Sequence, residues 1–154
     1  MTQTELHPPL PEADDGQATQ ARGFGKARTA QAVALLEDYA ELIADLHAEC
    51  GEARPTEIAR RLGISHATAV KTISRLKREG LATSRPYRGV SLTAKGSQLA
   101  ERTRARHRLV VDLLLALGVP REAAEMDAEG IEHHVGESTL NAFAVFLRRR
   151  CEGG

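Results

Sequence analysis

Residues 54–80, RPTEIARRLGISHATAVKTISRLKREG, constrain the fold more than any other stretch. Proline suits a first helical turn, where its missing N–H has no intrahelical partner, so Pro55 opens a helix. Gly63 breaks the chain after two turns, and Ser65 is placed to cap a second helix that runs to about Glu79 with Gly80 as its stop. Two short helices joined by a tight break must cross, and Ile58, Ala59, Leu62 and Ile64 supply the apolar side for Ala69, Ile73 and Leu76 to meet. In LATSRPYRGVSLTAKG, Val90 and Leu92 alternate with polar neighbours, and Pro86 and Gly89 mark a turn. That pattern predicts a small β-hairpin. Helix, turn, helix and hairpin in this order is the plan of a winged helix-turn-helix.

The outer side of the second helix follows from geometry. At about 100° per residue, Thr68, Lys71, Thr72 and Arg75 fall within an arc of roughly 100°. Ala69, Ile73 and Leu76 lie opposite, with Val70 at their edge. The exposed arc then carries hydrogen-bonding groups and positive charge but no acid until Glu79. Residues 54–108 hold 14 basic and 3 acidic side chains, net +11. A solvated basic unit used for protein contacts is the alternative, but this charge, with helices and wing in order, favours duplex DNA. The expected DNA contacts are Ser65, His66, Ala67, Thr68, Lys71, Thr72 and Arg75 in a major groove. Arg85, Tyr87 and Arg88 at the hairpin tip would lie along the backbone or in a minor groove. Lys77, Arg78 and Lys95 are candidate phosphate contacts, which position a protein without specifying sequence.

The rest of the chain reads as mainly helical. Aromatic residues are only 3% of the 154, so the core must come from Leu, Ile, Val and Ala, and a stacking platform for single strands is disfavoured. Residues 1–28, rich in proline, Gln, Gly and Asp and without periodicity, predict a disordered arm. A first helix follows, with Thr29 as N-cap, Val33, Leu36, Ala40, Ile43 and His47 at helical spacing, and Gly51 as stop. Thr93 caps a long helix of about 94–117, ended by Gly118 and followed by Pro120. A helix over 121–135 and a last one over 139–150, capped by Ser138, complete the chain. Cys50 and Cys151 sit in no CxxC pattern and are expected as free thiols. With no signal-like start and no apolar run near the roughly 20 residues of a membrane span, the chain is expected to be soluble and cytoplasmic.

The regions flanking the basic middle are acidic. Residues 1–53 carry 3 basic and 10 acidic side chains, and residues 109–137 carry 1 basic and 7 acidic. In DAEGIEHHV (127–135), Glu129, Glu132 and His133 are at i, i+3 and i+4, on one helix face. Gly130 beside them suggests close approach of another element. Asp38 and Glu41 are also at i, i+3. His107, with Val110, Val111 and Leu114 at i+3, i+4 and i+7, leans toward the core. Taken singly, each pair reads as a solvated face rather than a site, and His107 as a satisfied core histidine. Together they suggest a metal site. A dimetal enzyme is disfavoured because such bundles use Glu-x-x-His, and the residues three before His133 and His134 are Gly130 and Ile131. No enzyme is expected.

The blocks EDYAELI, PYRGVSLTAKG, RARHRLV and DAEGIEHHV, in this order and spacing, resemble the DtxR family of metal-dependent transcriptional repressors across residues 29–150. No further C-terminal domain is expected after about 150, which resembles its manganese-regulating branch. The resemblance implies metal ligands Asp38, Glu41, His107, Glu129, Glu132 and His133, with His134 outside the set. It implies two divalent ions per subunit bridged by carboxylates, and a homodimer built from the C-terminal helices. It also implies a palindromic operator and metal-activated repression of manganese uptake genes. The expected organisation is an arm (1–28), a winged helix-turn-helix (29–96) and a helical dimerisation and metal-binding domain (97–154). Four carboxylates and two imidazoles are a hard donor set that suits Mn²⁺, and their four negative charges balance two divalent ions. Fe²⁺, in an iron-responsive repressor, is the alternative within the family; a winged-helix regulator sensing an organic ligand is the alternative outside it.

Overall fold

The computed structural model describes residues 14–153. Six helices and one hairpin follow in order: α1 (Asp14–Cys50), α2 (Pro55–Leu62), α3 (His66–Arg78), β1 (Ala82–Arg85), β2 (Gly89–Leu92), α4 (Ala94–Ala116), α5 (Arg121–Ile131) and α6 (Glu137–Glu152). The fold is mainly helical with a winged helix-turn-helix, as the spacing predicts. Ser65 caps α3 by accepting from the Thr68 amide at 3.1 Å, and Thr93 caps α4 by accepting from the Gly96 amide at 3.1 Å. The strands pair antiparallel with Ala82 opposite Leu92 and Arg85 opposite Gly89.

Apolar side chains gather into two clusters. One joins Leu36, Tyr39, Ile43 and Leu46 of α1 to Ile58 of α2, Ala69, Ile73 and Leu76 of α3, and Val90 of β2. The other joins Val110 and Val111 of α4 to Ala128 of α5 and Leu140 of α6. Helix α4 serves both: Leu99 packs on the first cluster and Val110 belongs to the second. His107 lies between those two positions, at the junction of the clusters. Helices α1 and α4 also pack directly on each other, so α1 connects the reading head to that junction.

Two glycines let backbones meet. A Cβ on Gly89, where φ is +71°, would lie 2.5 Å from the Ala53 carbonyl oxygen. A Cβ on Gly96 would lie 2.0 Å from that of Leu81. The first contact lets Val90 donate its amide to Ala53 at 2.8 Å, and the His47 ring meets the Val90 carbonyl at 2.7 Å. The hairpin is thereby locked to the end of α1.

Four local expectations change. Residues 14–28 are not a disordered arm but the first turns of α1, and Thr29 is inside that helix, donating to the Gly25 carbonyl at 3.0 Å. Ala, Gln, Arg and Lys favour helix there, and because residues 16–29 are largely exposed, no apolar periodicity marks it. Residues 1–13 of the expected arm lie outside the described residues. Helix α5 stops at Ile131 rather than 135, with Glu132 as its C-cap. Helix α6 is started by Gly136, whose carbonyl accepts from Thr139 and Leu140, so Ser138 is already helical. Nothing lies within 4 Å of a Cβ built on Gly130, so no element crosses there. Among the described residues no helix is long and apolar enough to cross a membrane.

Candidate metal centre and nucleic-acid interface

Helix α1 contributes Asp38 and Glu41, α4 contributes His107, and the end of α5 contributes Glu129, Glu132 and His133. Glu132 and His133 lie just past the last turn of α5, yet Glu132 keeps helical dihedrals and donates its amide to Ala128 at 3.0 Å. The i, i+3, i+4 face therefore survives the early end of the helix.

Five of the six side chains form an alternating row. Asp38 Oδ1 is 3.2 Å from His133 Nε2, which is 3.3 Å from Glu132 Oε1. Glu132 Oε2 is 3.1 Å from His107 Nδ1, which is 3.5 Å from Glu129 Oε1. Ligand atoms of His107, Glu129 and Glu132 all lie within 4.8 Å of one another. Glu41 joins electrostatically. Burial raises its pKa against the pull of Arg104, and Glu129 and Asp38 add to the rise. Its nearest ion pair is with Arg104, at 3.9 Å.

Glu132 carries the electrostatic conflict. Its side chain is 1% exposed, and neither carboxylate oxygen has a hydrogen bond. Burial pushes its pKa up to about 7, against His107 and His133, with Glu129 and Glu41 pushing the same way as burial. His133 is pushed up to about 10 by its hydrogen bonds to Asp38 and Glu37, against burial. For His107, burial opposes the charged ring, but the bond to Glu125 and the charges of Glu132 and Glu129 prevail and raise its pKa. Glu132 holds its proton more tightly than an ordinary carboxyl because burial outweighs the pull of the two imidazoles. An orphaned buried carboxylate with one oxygen toward each of two imidazoles fits a site for divalent cations.

Three further side chains, outside the expected set, contribute. Glu125 Oε2 accepts from His107 Nε2 at 2.9 Å. Glu37 accepts from His133 Nδ1 at 2.7 Å and pairs with Arg106 Nη2 at 2.6 Å. Glu125 was within reach of helical spacing, one turn before Glu129 on the same face. Glu37 and Arg106 differ from the predicted ligands only by adjacency, a position no periodicity distinguishes. His134 turns away, its Nδ1 2.9 Å from the Gly130 carbonyl.

The residues expected to meet DNA differ in exposure. Ser65, His66, Ala67, Thr68 and Lys71 are exposed on α3, and Arg85 and Arg88 are exposed on the hairpin. Thr72 is 8% exposed and leaves the candidate interface. Arg75 is half-buried and leans on Glu79, Nε to Oε1 3.7 Å. Ala69, Thr72, Ile73 and Leu76 are the buried residues of α3, so the free face centres on Ala67, Lys71, Ser74 and Arg78. That is a rotation of roughly 80° from the expected arc, at 100° per residue. Thr72 is polar and so falls on the expected outer arc, but α3 rests on α2 and β1, and Thr72 is buried on that side. Val70, 41% exposed, and Ser74 take its place on the open side. Lys77 donates to Ser84 Oγ at 3.1 Å and Lys95 to the Glu79 carbonyl at 3.0 Å, so these two of the three candidate phosphate contacts are held against the head, while Arg78 is exposed.

Residues 32–90 match the family model described as iron dependent repressor, N-terminal DNA binding domain. Residues 93–151 match that described as iron dependent repressor, metal binding and dimerisation domain. The chain is similar to the transcriptional regulator MntR of Escherichia coli O6:H1, with 50% identity over 127 residues, covering 82% of each protein. It is 35% identical over 106 residues to the HTH-type transcriptional regulator MntR of Bacillus subtilis (strain 168), covering 69% of this chain and 75% of that one. Among solved structures, the manganese regulator SloR aligns with a TM-score of 0.64 and 27% identity, over 73% of this chain and 53% of that longer one.

Proposed function

The chain belongs to the iron-dependent repressor family, and from that premise we propose that it is a manganese-activated transcriptional repressor, not an enzyme. The observation that carries the metal is Glu132, a buried carboxylate without hydrogen bonds between two imidazoles. Asp38, Glu41, His107, Glu129, Glu132 and His133 would hold two divalent ions, whose positive charge neutralises the four carboxylates. Similarity to MntR proteins and to a manganese regulator supports Mn²⁺. Mn²⁺ is the weakest binder among the first-row divalent ions, so selection rests on donor hardness and coordination geometry rather than raw affinity.

This chain's residues transmit the result. Asp38 and Glu41 are on α1, whose Leu36, Tyr39, Ile43 and Leu46 pack in the same cluster as α3. His107, Glu129, Glu132 and His133 belong to the other side of the junction. Ions joining the two ligand sets would fix α3 relative to the C-terminal helices; without them the ligand sets meet only through proton-dependent pairs such as His133 with Asp38. The head spans 29–96, and residues 97–154 form the dimerisation and metal-binding part. A two-fold dimer would present two copies of α3 to a palindromic operator, with half-sites about one helical turn, roughly 34 Å, or a multiple of it apart. Ser65, His66, Ala67, Thr68, Lys71 and Ser74 would face bases or adjacent phosphates, and Arg85 and Arg88 the flanking backbone. A coupling of about 1–3 kcal/mol between metal and DNA changes occupancy roughly 5- to 150-fold.

The test is transcript response in cells carrying or lacking this chain. Repression of its target genes on adding Mn²⁺, and not Fe²⁺, is the expected result. Response to Fe²⁺ alone, or to neither, would overturn the assignment.

A further inference from the structure

We infer that Glu37 is a positioning residue that fixes which nitrogen of His133 faces the metal centre, and so sets the affinity of one of its two ions. The inference rests on the metal reading above. Glu37 precedes the ligand Asp38 on the same rigid helix, and its side chain is 4% exposed. One oxygen accepts from His133 Nδ1 at 2.7 Å; the other meets Arg106 Nη2 at 2.6 Å. A carboxylate this buried needs strong partners to stay ionised, and it has two. With Nδ1–H committed to Glu37, Nε2 is the nitrogen left toward Asp38 at 3.2 Å and Glu132 at 3.3 Å. A carboxylate on the distal ring nitrogen fixes the tautomer and ring angle and makes the ligating nitrogen more basic.

The other histidine supplies the contrast. His107 gives Nε2 to Glu125 and turns Nδ1 inward, so the two rings face the centre through opposite nitrogens. Glu125, however, is 47% exposed and competes with water for that bond. The restraint on His133 is the stronger one, and it acts on the side of the centre that Asp38 shares. Losing it should therefore damage the two ion positions unequally.

The experiment uses the full chain with Glu37→Gln and Glu37→Ala. Stepwise Mn²⁺ binding is followed by calorimetry, and ¹⁵N–¹¹³Cd coupling of the His133 ring is recorded with Cd²⁺ as the probe. Wild-type His133 should couple through Nε2 alone. Glu37→Ala should weaken one of two Mn²⁺ steps by roughly 10–100-fold while the other stays within about twofold, and should split or abolish the His133 coupling. Glu37→Gln keeps an acceptor of the same size, so its loss should be smaller. If the Ala variant fails to fold because Arg106 is left unpaired, Glu37→Gln and the double variant Glu37→Ala/Arg106→Ala carry the test. Equal weakening of both steps, or unchanged binding with coupling still at Nε2, overturns the role of Glu37. Absence of Mn²⁺ binding in the wild-type chain instead overturns the metal reading itself.

Discussion

Replacing Glu132 by Gln should move two properties in opposite directions. Glu132 is fully buried and forms no hydrogen bond, and burial raises its pKa from 4.5 to about 7. At 1.36 kcal/mol per pKa unit, keeping it ionised costs on the order of 3 kcal/mol in the metal-free protein. Gln removes that cost, and its amide oxygen can still accept from the charged His133 ring, so the metal-free variant should melt several degrees higher at pH 8, given about 2–4 °C per kcal/mol for a chain this long. Metal binding should suffer. Removing one partner of a buried charge cluster costs about 3–5 kcal/mol, which corresponds to two to three and a half orders of magnitude in affinity. Differential scanning fluorimetry with EDTA and with graded Mn²⁺ reads both effects from one sample. A variant that melts lower without metal, or that keeps the wild-type Mn²⁺ shift and half-saturation, would refute the role assigned to Glu132.

Metal affinity should rise with pH. Glu132 and His133 have pKa values raised to about 7 and about 10. The metal-free folded chain therefore binds more protons than the unfolded chain between 4.5 and 7 and between 6.5 and 10, and its stability falls as pH rises through those windows. Ions must displace these protons, so calorimetry in buffers of different ionisation enthalpy should show net proton release on binding; proton uptake would contradict the shifts. Lys71→Ala should weaken binding to any duplex and lower the slope of log affinity against log salt by about 1, with no effect at any salt removing Lys71 from the interface. Thr72→Val should leave DNA affinity unchanged, because that side chain is buried; a marked loss would restore the rotated-out arc. Gly96→Ala places a Cβ 2.0 Å from the Leu81 carbonyl oxygen and should destabilise by about 1–3 kcal/mol or more; an unchanged chemical-denaturation midpoint would show that this contact relaxes freely.

The parts legible in the sequence share one property: they depend on local chemistry. Ser65 and Thr93 cap as their spacing predicts, the hairpin forms at Pro86–Gly89, and Glu129, Glu132 and His133 share the face that their i, i+3, i+4 spacing predicts. Asp38, Glu41 and His107 needed more than spacing, because each by itself looks like any surface acid or core histidine; the resemblance singled them out. The failures come from tertiary choices. Thr72 could face out or in, and only the packing of α3 on α2 and β1 turned it in. Residues 16–29 form helix without burying a face, so amphipathic pattern had nothing to report. Glu37 meets both His133 and Arg106 only when α1, α4 and the end of α5 converge, a contact across 96 residues of chain for Glu37 and His133.

The central claim is that metal held by α1, α4 and α5 governs how the head meets DNA. Its most direct test is fluorescence anisotropy with a labelled duplex selected from random sequence by the Mn²⁺-saturated protein. At constant ionic strength, affinity should rise roughly 5- to 150-fold between EDTA and saturating Mn²⁺, and Glu132→Gln should abolish the rise while leaving the EDTA baseline intact. Equal affinity with and without Mn²⁺ for the wild-type chain would contradict it.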